Sequence, residues 1–217
     1  MSLVNENILK KVAESQQRHY RSCYEKHGAT LAGASWGEES RTSVRWKLSY
    51  EVFKLDPAGV LDNPIVLDVG CSFGGMYSFG KSLGLNMQYT GIDPVEESIV
   101  EARKNHKRAK FYCKNITFDN IDGMFDYVVS CGIFAVKGSV SHRDMHLYWK
   151  ETTRRMFDKC TRGMSFNLFS SRVNKFDENS YYLSPVEALA FCMEELSDKV
   201  VLHHATSLYD FFIYVYK

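Results

Sequence analysis

A glycine-rich turn that directly follows a short apolar run constrains the fold of this 217-residue chain more than any other feature. The run, residues 65–69, has the apolar character of a buried parallel strand. The turn then supplies glycines at positions 70, 74 and 75 before a helical pattern that reaches about Leu83. Glycine permits a sharp bend and a close approach between backbone and ligand, and N–H groups at a helix start favour a negatively charged group. The pattern therefore predicts a ligand site at the carboxyl end of the first strand of an open α/β sheet.

The chain beyond this turn continues to alternate between strands and helices. Strands that alternate with helices specify a mainly parallel sheet covered on both faces. The last two strands are joined by about five residues, too few for a parallel crossover, so they should form an antiparallel hairpin. We therefore expect a doubly wound, mainly parallel, seven-stranded α/β sheet that ends in this hairpin. Further strands are predicted at residues 88–92, 110–113, 125–130, 163–169, 199–204 and 210–216, and helices at 93–106, 143–159 and 185–196.

Residues 1–58 have a different pattern from the rest of the chain. They are rich in Glu, Gln, Lys and Arg, with apolar residues at helical spacing, which predicts two helices separated by a Gly/Ala/Ser stretch at residues 28–35. We interpret residues 1–58 as a helical extension or lid and residues 59–217 as the α/β domain.

The net charge and the cysteine content limit which binding partners and which cellular compartment we expect for this protein. The net charge of +1 provides no overall attraction to nucleic acid or to an anionic membrane, so neither partner is expected. None of the six cysteines forms a C-x-x-C pair, and we expect reduced thiols in a cytoplasmic protein. The amino-terminal residues do not resemble a secretory signal, and no apolar stretch is long enough to span a membrane. The oligomeric state cannot be inferred from these features.

A second carboxylate, Asp93, closes the second strand 23 residues after Gly70. A carboxylate at this place can accept hydrogen bonds from both ribose hydroxyls of an adenosine. Both NAD and S-adenosylmethionine contain an adenosine whose ribose could bind in this way. The turn is an imperfect match to the glycine pattern of dinucleotide-binding proteins, with Ser72 at the position of the middle glycine. Each acid also has a purely structural alternative: Asp93 only caps the helix that begins near Pro94, and Asp68 only binds loop amides.

These motifs resemble those of the class I S-adenosylmethionine-dependent methyltransferases, from about residue 36 to the end of the chain. Residues 68–74 match the family's acid and glycine-rich turn, Asp93 its second acid, and residues 125–134 its fourth motif. The resemblance implies a Rossmann-like methyltransferase fold with S-adenosylmethionine as cofactor. Asp68, two residues before the first glycine, favours this family over the NAD-dependent oxidoreductases. The cofactor-binding residues that the resemblance implies are Asp68, Gly70, Cys71, Ser72, Gly74, Asp93, Pro94, Asn115, Ile116, Ser130, Cys131 and Gly132.

The segment directly before the α/β domain, residues 36–46, resembles a lid found in one bacterial and phage branch of the family. The resemblance implies that Arg45 pairs with the methionine carboxylate of the cofactor and that Trp36 covers its sulfonium. In the alternative, these residues form an amphipathic helix with Arg45 in solvent and Trp46 packed on the sheet.

Histidines are the candidate bases for an acceptor that must lose a proton. The candidates are His203, His204 and His142, and at most one of the first two can face the site because side chains alternate along a strand. His142, Asp144 and His146 lack a fourth ligand, so no metal is expected. Cys131 is interpreted as a buried thiol rather than a nucleophile.

The sequence does not identify the methyl acceptor. Apolar Ile133 and Phe134 after the fourth strand indicate a pocket wall suited to a small molecule, and family analogy adds a saccharide. The leading hypothesis is a methyltransferase that acts on a small molecule or a saccharide. The alternatives are an NAD-dependent oxidoreductase and a non-catalytic cofactor-binding or interaction module.

Overall fold

One mixed sheet organises residues 3–217, the part of the chain that this computed structural model describes; residues 1 and 2 of the predicted extension lie outside it. Within that part the strands are β1 (Ile65–Val69), β2 (Gln88–Asp93), β3 (Lys110–Cys113), β4 (Phe125–Ser130), β5 (Cys160–Ser170), β6 (Tyr182–Leu183), β7 (Val200–His203) and β8 (Asp210–Tyr216). The helices are α1 (Leu3–His27), α2 (Glu39–Lys54), α3 (Gly75–Ser82), α4 (Glu96–Asn105), α5 (His142–Lys159) and α6 (Pro185–Glu195).

The strand order β3-β2-β1-β4-β5-β8-β7 confirms the predicted doubly wound sheet with antiparallel strands at its end. The strands β1 to β5 are mutually parallel, whereas β8 is antiparallel to both β5 and β7. The prediction of seven strands missed β6, whose two residues pair with β5 and are too few to show an alternating pattern. It also began β5 three residues too late, since this strand starts at Cys160.

The last strand lies inside the sheet rather than at its edge. All seven residues of β8 are buried, and their pairing with β5 runs from Gly163 opposite Tyr216 to Phe169 opposite Asp210. Because β8 runs antiparallel, its first residue lies at the same edge of the sheet as the carboxyl ends of the parallel strands. Asp210 therefore reaches the edge where an α/β sheet binds its ligands.

Alternate residues of the strands supply two hydrophobic layers, one on each face of the sheet. Leu67 and Val69 of β1 belong to the layer that includes residues of α1, α5 and α6. Val66, between them, belongs to the layer that includes residues of α2, α3 and α4. The helices thus cover both faces, as the predicted fold requires. No helix of residues 3–217 has the length and apolar composition needed to cross a membrane.

The second helix is joined to the sheet by hydrogen bonds as well as by packing. The hydroxyl of Tyr214 donates to the Leu48 carbonyl at 2.9 Å, and that of Tyr216 donates to the Val52 carbonyl at 3.1 Å. These bonds connect the last strand of the chain to a helix more than 160 residues earlier. They fix α2 across the sheet and so position the amino-terminal end of α2 near the ligand edge.

We predict that replacing both tyrosines by phenylalanine destabilises the protein without changing its fold. Each lost hydroxyl removes one hydrogen bond, worth about 0.5–1.5 kcal/mol, so Tyr214→Phe with Tyr216→Phe should cost roughly 1–3 kcal/mol in the free energy of unfolding. Urea unfolding measures this cost as a lower midpoint at an unchanged slope. Tyr112, which is 44% exposed, is the control, and its Phe variant should stay within about 0.5 kcal/mol. A double variant as stable as the wild type would contradict the anchoring role.

Candidate functional site

A cavity of about 410 Å³ opens at the carboxyl edge of the parallel strands. Its walls come from the loops after β1, β2, β3 and β4, from α1, and from the segment that leads into α2. We call it the main cavity. Most residues that the sequence predicted to bind cofactor line it, namely Trp36, Arg45, Gly70, Ser72, Asp93, Pro94, Asn115, Ile116, Cys131 and Gly132.

A second cavity of about 260 Å³ adjoins the first beneath the glycine-rich turn. Asp68 and Cys71, also predicted to bind cofactor, line this smaller space. Two other predicted residues, Gly74 and Ser130, line neither cavity. Gly74 has a φ of +78° at the start of α3, so its role is to shape the turn. Ser130 is buried at the end of β4, and its hydroxyl has no hydrogen-bond partner among the described residues.

Gly70 is the position at which the turn requires glycine most strictly. Its φ is +79°, and an added Cβ would lie 2.2 Å from the Cγ2 atom of Ile133. The glycine therefore allows the loop after β1 to lie directly against the loop after β4. The position of this turn, which lines both cavities, depends on the absence of a side chain at Gly70.

Asp93 joins the glycine-rich turn to the start of α4. One carboxylate oxygen accepts the N–H of Ser72 at 3.0 Å, and the other accepts the N–H of Val95 at 2.9 Å. Burial raises the pKa of Asp93 to about 6, although these two N–H donors act in the opposite direction. A carboxylate oxygen can accept more than one hydrogen bond, so both oxygens can also accept bonds from a ligand in the main cavity. The structural role and the binding role of Asp93 are thus compatible.

Asp68 is a second buried carboxylate without an ion-pair partner among the described residues. The hydroxyl of Tyr89 donates a hydrogen bond to it. Burial raises the pKa of Asp68 to about 7, and the hydrogen bond from Tyr89 opposes that rise. The site therefore holds two carboxylates, Asp68 and Asp93, that burial leaves partly protonated near neutral pH.

Asn115 lies beyond β3, at one end of the main cavity. Its side-chain oxygen accepts the N–H of Thr117 at 2.9 Å, and its amide nitrogen lies 3.5 Å from the Tyr148 hydroxyl. The loop therefore fixes the orientation of the amide. Ile116 follows it as a buried apolar residue on the same wall.

The first helix crosses the main cavity and bonds to loops on both sides of it. Gln17 donates from its side chain to the Pro94 carbonyl at 2.6 Å, and Gln16 donates to the carbonyls of Ile133 and Val136 at 2.9 and 2.8 Å. The hydroxyl of Tyr20 donates to the Gly132 carbonyl at 3.3 Å. Sequence analysis did not identify Gln16, Gln17 or Tyr20. Polar residues on a helix rich in charged side chains give no signal of contacts with loops more than 70 residues away.

Arg45 forms a buried two-bond ion pair with Asp210. Its Nε lies 2.6 Å from one carboxylate oxygen and its Nη2 lies 2.8 Å from the other. The Arg45 side chain is 11% exposed and that of Asp210 is fully buried. The alternative interpretation is wrong in placing Arg45 in solvent. The predicted pairing of Arg45 with the methionine carboxylate of a cofactor stays a prediction, although Asp210 already accepts two hydrogen bonds from its guanidinium.

Asn167 extends this ion pair to the loop after β4. Its amide nitrogen donates to Asp210 at 2.7 Å, and its amide oxygen accepts the N–H of Gly132 at 2.8 Å. We call Arg45, Asp210, Asn167 and the Gly132 N–H the buried network. Asn167 and Asp210 were not identified from the sequence. The available signal was that Asn167 interrupts the apolar run of β5 and Asp210 directly precedes that of β8.

Trp36 covers the turn after β4. Gly132 has a φ of +88°, and a Cβ at this position would lie 2.9 Å from the Trp36 ring. The Arg45 guanidinium lies 5.8 Å from the centroid of the same ring. Trp36 thus packs between the buried network and the main cavity. Its expected contact with a sulfonium stays a prediction.

The candidate histidine bases lie away from both cavities. His203 is on β7, the edge strand, and β8 separates it from the parallel strands. His204 is exposed and packs edge-on against Phe211, while His142 is exposed and its Nε2 lies 2.9 Å from the Tyr182 carbonyl. The structure brings none of these three histidines to either cavity, and a role as base for any of them stays a prediction. The described residues also contain no group of three His, Cys, Asp or Glu side chains that could hold a metal.

Cys131 lines both cavities as a buried thiol. Burial raises its pKa to about 12. Because the thiolate is the nucleophilic form, a thiol with this pKa is unreactive at neutral pH. The geometry agrees with the interpretation of Cys131 as a buried wall residue.

Comparison with known proteins shows which family this chain belongs to. Residues 66–165 match the model of a methyltransferase domain. Rv1506c of Mycobacterium tuberculosis, which is named as a methyltransferase, is 30% identical over 155 residues, covering 69% of this chain and 91% of that protein.

Solved structures share the fold at low sequence identity. The magnesium protoporphyrin IX methyltransferase ChlM of Synechocystis PCC 6803, solved with S-adenosylmethionine, gives a TM-score of 0.64 at 12% identity, over 93% of this chain and 97% of that one. The plantazolicin methyltransferase BpumL, solved with S-adenosylhomocysteine, gives 0.62 at 15% identity, over 99% of each chain.

We predict that Arg45→Met strongly destabilises the protein. The substitution leaves the buried Asp210 carboxylate without its cation, which should cost about 3–5 kcal/mol in the free energy of unfolding. Adding Asp210→Asn should recover part of this loss because the amide carries no charge. Urea unfolding of the single and double variants measures both effects.

Arg154 provides a matched control for this experiment. It bonds to Glu195 at 2.6 Å, but the two side chains are 38% and 36% exposed. Arg154→Met should therefore cost no more than about 1 kcal/mol. Equal costs for Arg45→Met and Arg154→Met would show that burial of the Arg45 pair has no energetic consequence.

Proposed function

The chain belongs to the S-adenosylmethionine-dependent methyltransferase family, and from this premise we propose that it transfers the methyl group to a small-molecule acceptor. The observation that carries the proposal is the position of Asp93, which lines the main cavity together with Gly70 and Ser72 of the glycine-rich turn. Membership of this family displaces the NAD-dependent oxidoreductase alternative. The main cavity also extends past the predicted cofactor residues to β5 and β8, which favours an enzyme with room for an acceptor over a module that only binds cofactor.

The residues at the β1–β3 end of the main cavity fit an adenosine-bearing cofactor. Asp93 offers carboxylate oxygens that suit the two ribose hydroxyls, and Asn115 with Ile116 offers an amide beside an apolar wall for the adenine. Gly70 and Ser72 of the glycine-rich turn line the same cavity and offer backbone groups to the methionine portion. Asp68 and Asp93 place negative charge near a ligand that carries a sulfonium and an ammonium. Arg45 is left out of this assignment because Asp210 already occupies its fork.

The protein's own contribution to methyl transfer is alignment and exclusion of water. The cofactor supplies a methyl group activated by a positive sulfur, so no residue has to activate it. Gln16, Gln17 and Tyr20 hold α1 across the main cavity, and Trp36 closes the side above Gly132. A site closed in this way holds the acceptor in line and keeps water from competing. We propose that the segment 1–58 acts as the lid of this site, with residues 28–38 and α1 as its moving parts.

We predict that S-adenosylhomocysteine raises the melting temperature of the protein and that NAD does not. Binding at 100 times the dissociation constant adds about 2.7 kcal/mol to the free energy of unfolding. Differential scanning fluorimetry with each ligand is sufficient for the measurement. A shift with NAD and none with S-adenosylhomocysteine would overturn the proposed function.

The affinity for S-adenosylhomocysteine should depend on pH through Asp93. With a pKa of about 6, Asp93 is mostly ionised at pH 7 and mostly protonated at pH 5, where it can accept fewer hydrogen bonds. If the ionised form binds, affinity should fall about tenfold between these pH values, in proportion to the ionised fraction. Calorimetric titration measures the fall, and Asp93→Asn should be weaker at pH 7 and nearly independent of pH.

A control variant and the sign of the stability change separate the loss of affinity through Asp93 from a general sensitivity of the protein to acid. Asp68→Asn removes the other carboxylate that titrates in this range and should keep the fall in affinity. Burial raises the pKa of Asp93 above that of the unfolded chain, so its contribution to the stability of the free protein is present at low pH and is lost as the pH rises through about 6. Weaker binding at pH 5 therefore cannot be attributed to destabilisation through Asp93. A fall that persists in Asp93→Asn would remove Asp93 from the binding role.

A further inference from the structure

The end of the main cavity opposite Asp93 has the character of an acceptor site. It lies at the ends of β5 and β8 and at the first turn of α2, several strands away from the adenosine end. Its second wall is apolar and comes from Ile133, Ala135 and Val136. The residues of the first wall are Glu38, Arg41, Asn167, Phe169, Tyr209 and Asp210.

No buried group at this end of the cavity is free to act as a base. The Asp210 carboxylate already accepts two bonds from Arg45 and one from Asn167. Tyr20 uses its hydroxyl to bond the Gly132 carbonyl, and burial raises its pKa above the usual tyrosine value. The histidines lie elsewhere, and the only other carboxylate on this wall, Glu38, is exposed.

The absence of a buried base discriminates among acceptor chemistries. An alcohol or a saccharide hydroxyl must lose a proton as it attacks, and this needs a base within hydrogen-bond reach. A carboxylic acid has a pKa near 4 in water and arrives already ionised. A carboxylate oxygen is therefore a nucleophile that this wall can use without a proton acceptor.

Arg41 supplies a cation that suits such an acceptor. Its guanidinium lines the main cavity and lies 5.3 Å from the centroid of the Tyr209 ring. No carboxylate of the described residues lies within ion-pair distance of it, in contrast to Arg45 on the next turn of the same helix. A guanidinium presents a planar pair of donors that matches a carboxylate.

We propose that the acceptor is a small, largely apolar organic acid, which Arg41 binds through its carboxylate and which leaves as a methyl ester. The inference rests on the proposed methyltransferase function. In the reaction an acceptor oxygen forms a bond to the methyl carbon, and the bond between that carbon and sulfur breaks with its electron pair remaining on sulfur. No proton is transferred, and the products are an ester and S-adenosylhomocysteine.

Binding of matched probes to the protein saturated with S-adenosylhomocysteine tests the acceptor class. The probes are benzoate and hexanoate, each compared with its amide and with the corresponding alcohol, titrated by calorimetry or by ligand-observed NMR. We expect at least one carboxylate to bind ten times more tightly than its neutral partners. Arg41→Gln should remove this preference and leave the affinity for S-adenosylhomocysteine unchanged. Arg143, exposed on α5 and outside both cavities, provides the matched charge control, while Glu38→Gln should strengthen carboxylate binding by removing a like charge.

A turnover assay with methyl-tritiated S-adenosylmethionine identifies the atom that receives the methyl group. Label on a carboxylate is released as volatile methanol by mild alkali, whereas label on an ether or an amine is retained. Equal binding of charged and neutral probes, an Arg41→Gln variant that keeps the preference, or label transfer only to the alcohols would each overturn the inference. If S-adenosylhomocysteine itself does not bind, the proposed function fails, and this result is distinct from a failure at the acceptor end alone.

Discussion

The buried ion pair between Arg45 and Asp210 is the interaction on which the architecture of this site depends. It joins α2 to β8, and through Asn167 it reaches the backbone N–H of Gly132 after β4. Removing either charge would leave the other buried without compensation, so the pair specifies where α2 lies even if its net contribution to stability is small. With α2 fixed in this way, Trp36 lies over Gly132 and Arg41 reaches the main cavity.

The two ends of the main cavity differ in how their charges are compensated. At the β1–β3 end, Asp68 and Asp93 are buried and are bonded only by Tyr89 and by backbone N–H groups, so burial raises their pKa values to about 7 and about 6. At the other end, the Asp210 carboxylate accepts bonds from Arg45 and Asn167, and no carboxylate of the described residues lies within ion-pair distance of the Arg41 guanidinium. A cationic ligand at the first end and an anionic ligand at the second would both supply the missing charge. This complementarity links the cofactor assignment to the acceptor inference.

The covering of the site comes from the amino-terminal part of the chain. Gln16 and Gln17 of α1 bond to carbonyls on opposite sides of the main cavity, so α1 spans it. Entry of a ligand through this side of the main cavity would require some of these side-chain bonds to open. Because each such bond has a small net free energy, of about 1 kcal/mol, opening of this kind is compatible with a stable α/β sheet beneath.

The sequence by itself determined the features that depend on short segments. The strand and glycine turn around Gly70, the acid at Asp93 and the antiparallel direction of the last strand follow from local periodicity, glycine conformation and loop length, and the structure agrees with each. Only the tertiary structure decided which distant residues meet. Residue periodicity gives the direction in which a side chain points but not the neighbour of its strand, so the insertion of β8 between β5 and β7 was not predictable. That insertion brings Asp210 to Arg45 across 165 residues of chain and leaves His203 on the edge strand, away from the site.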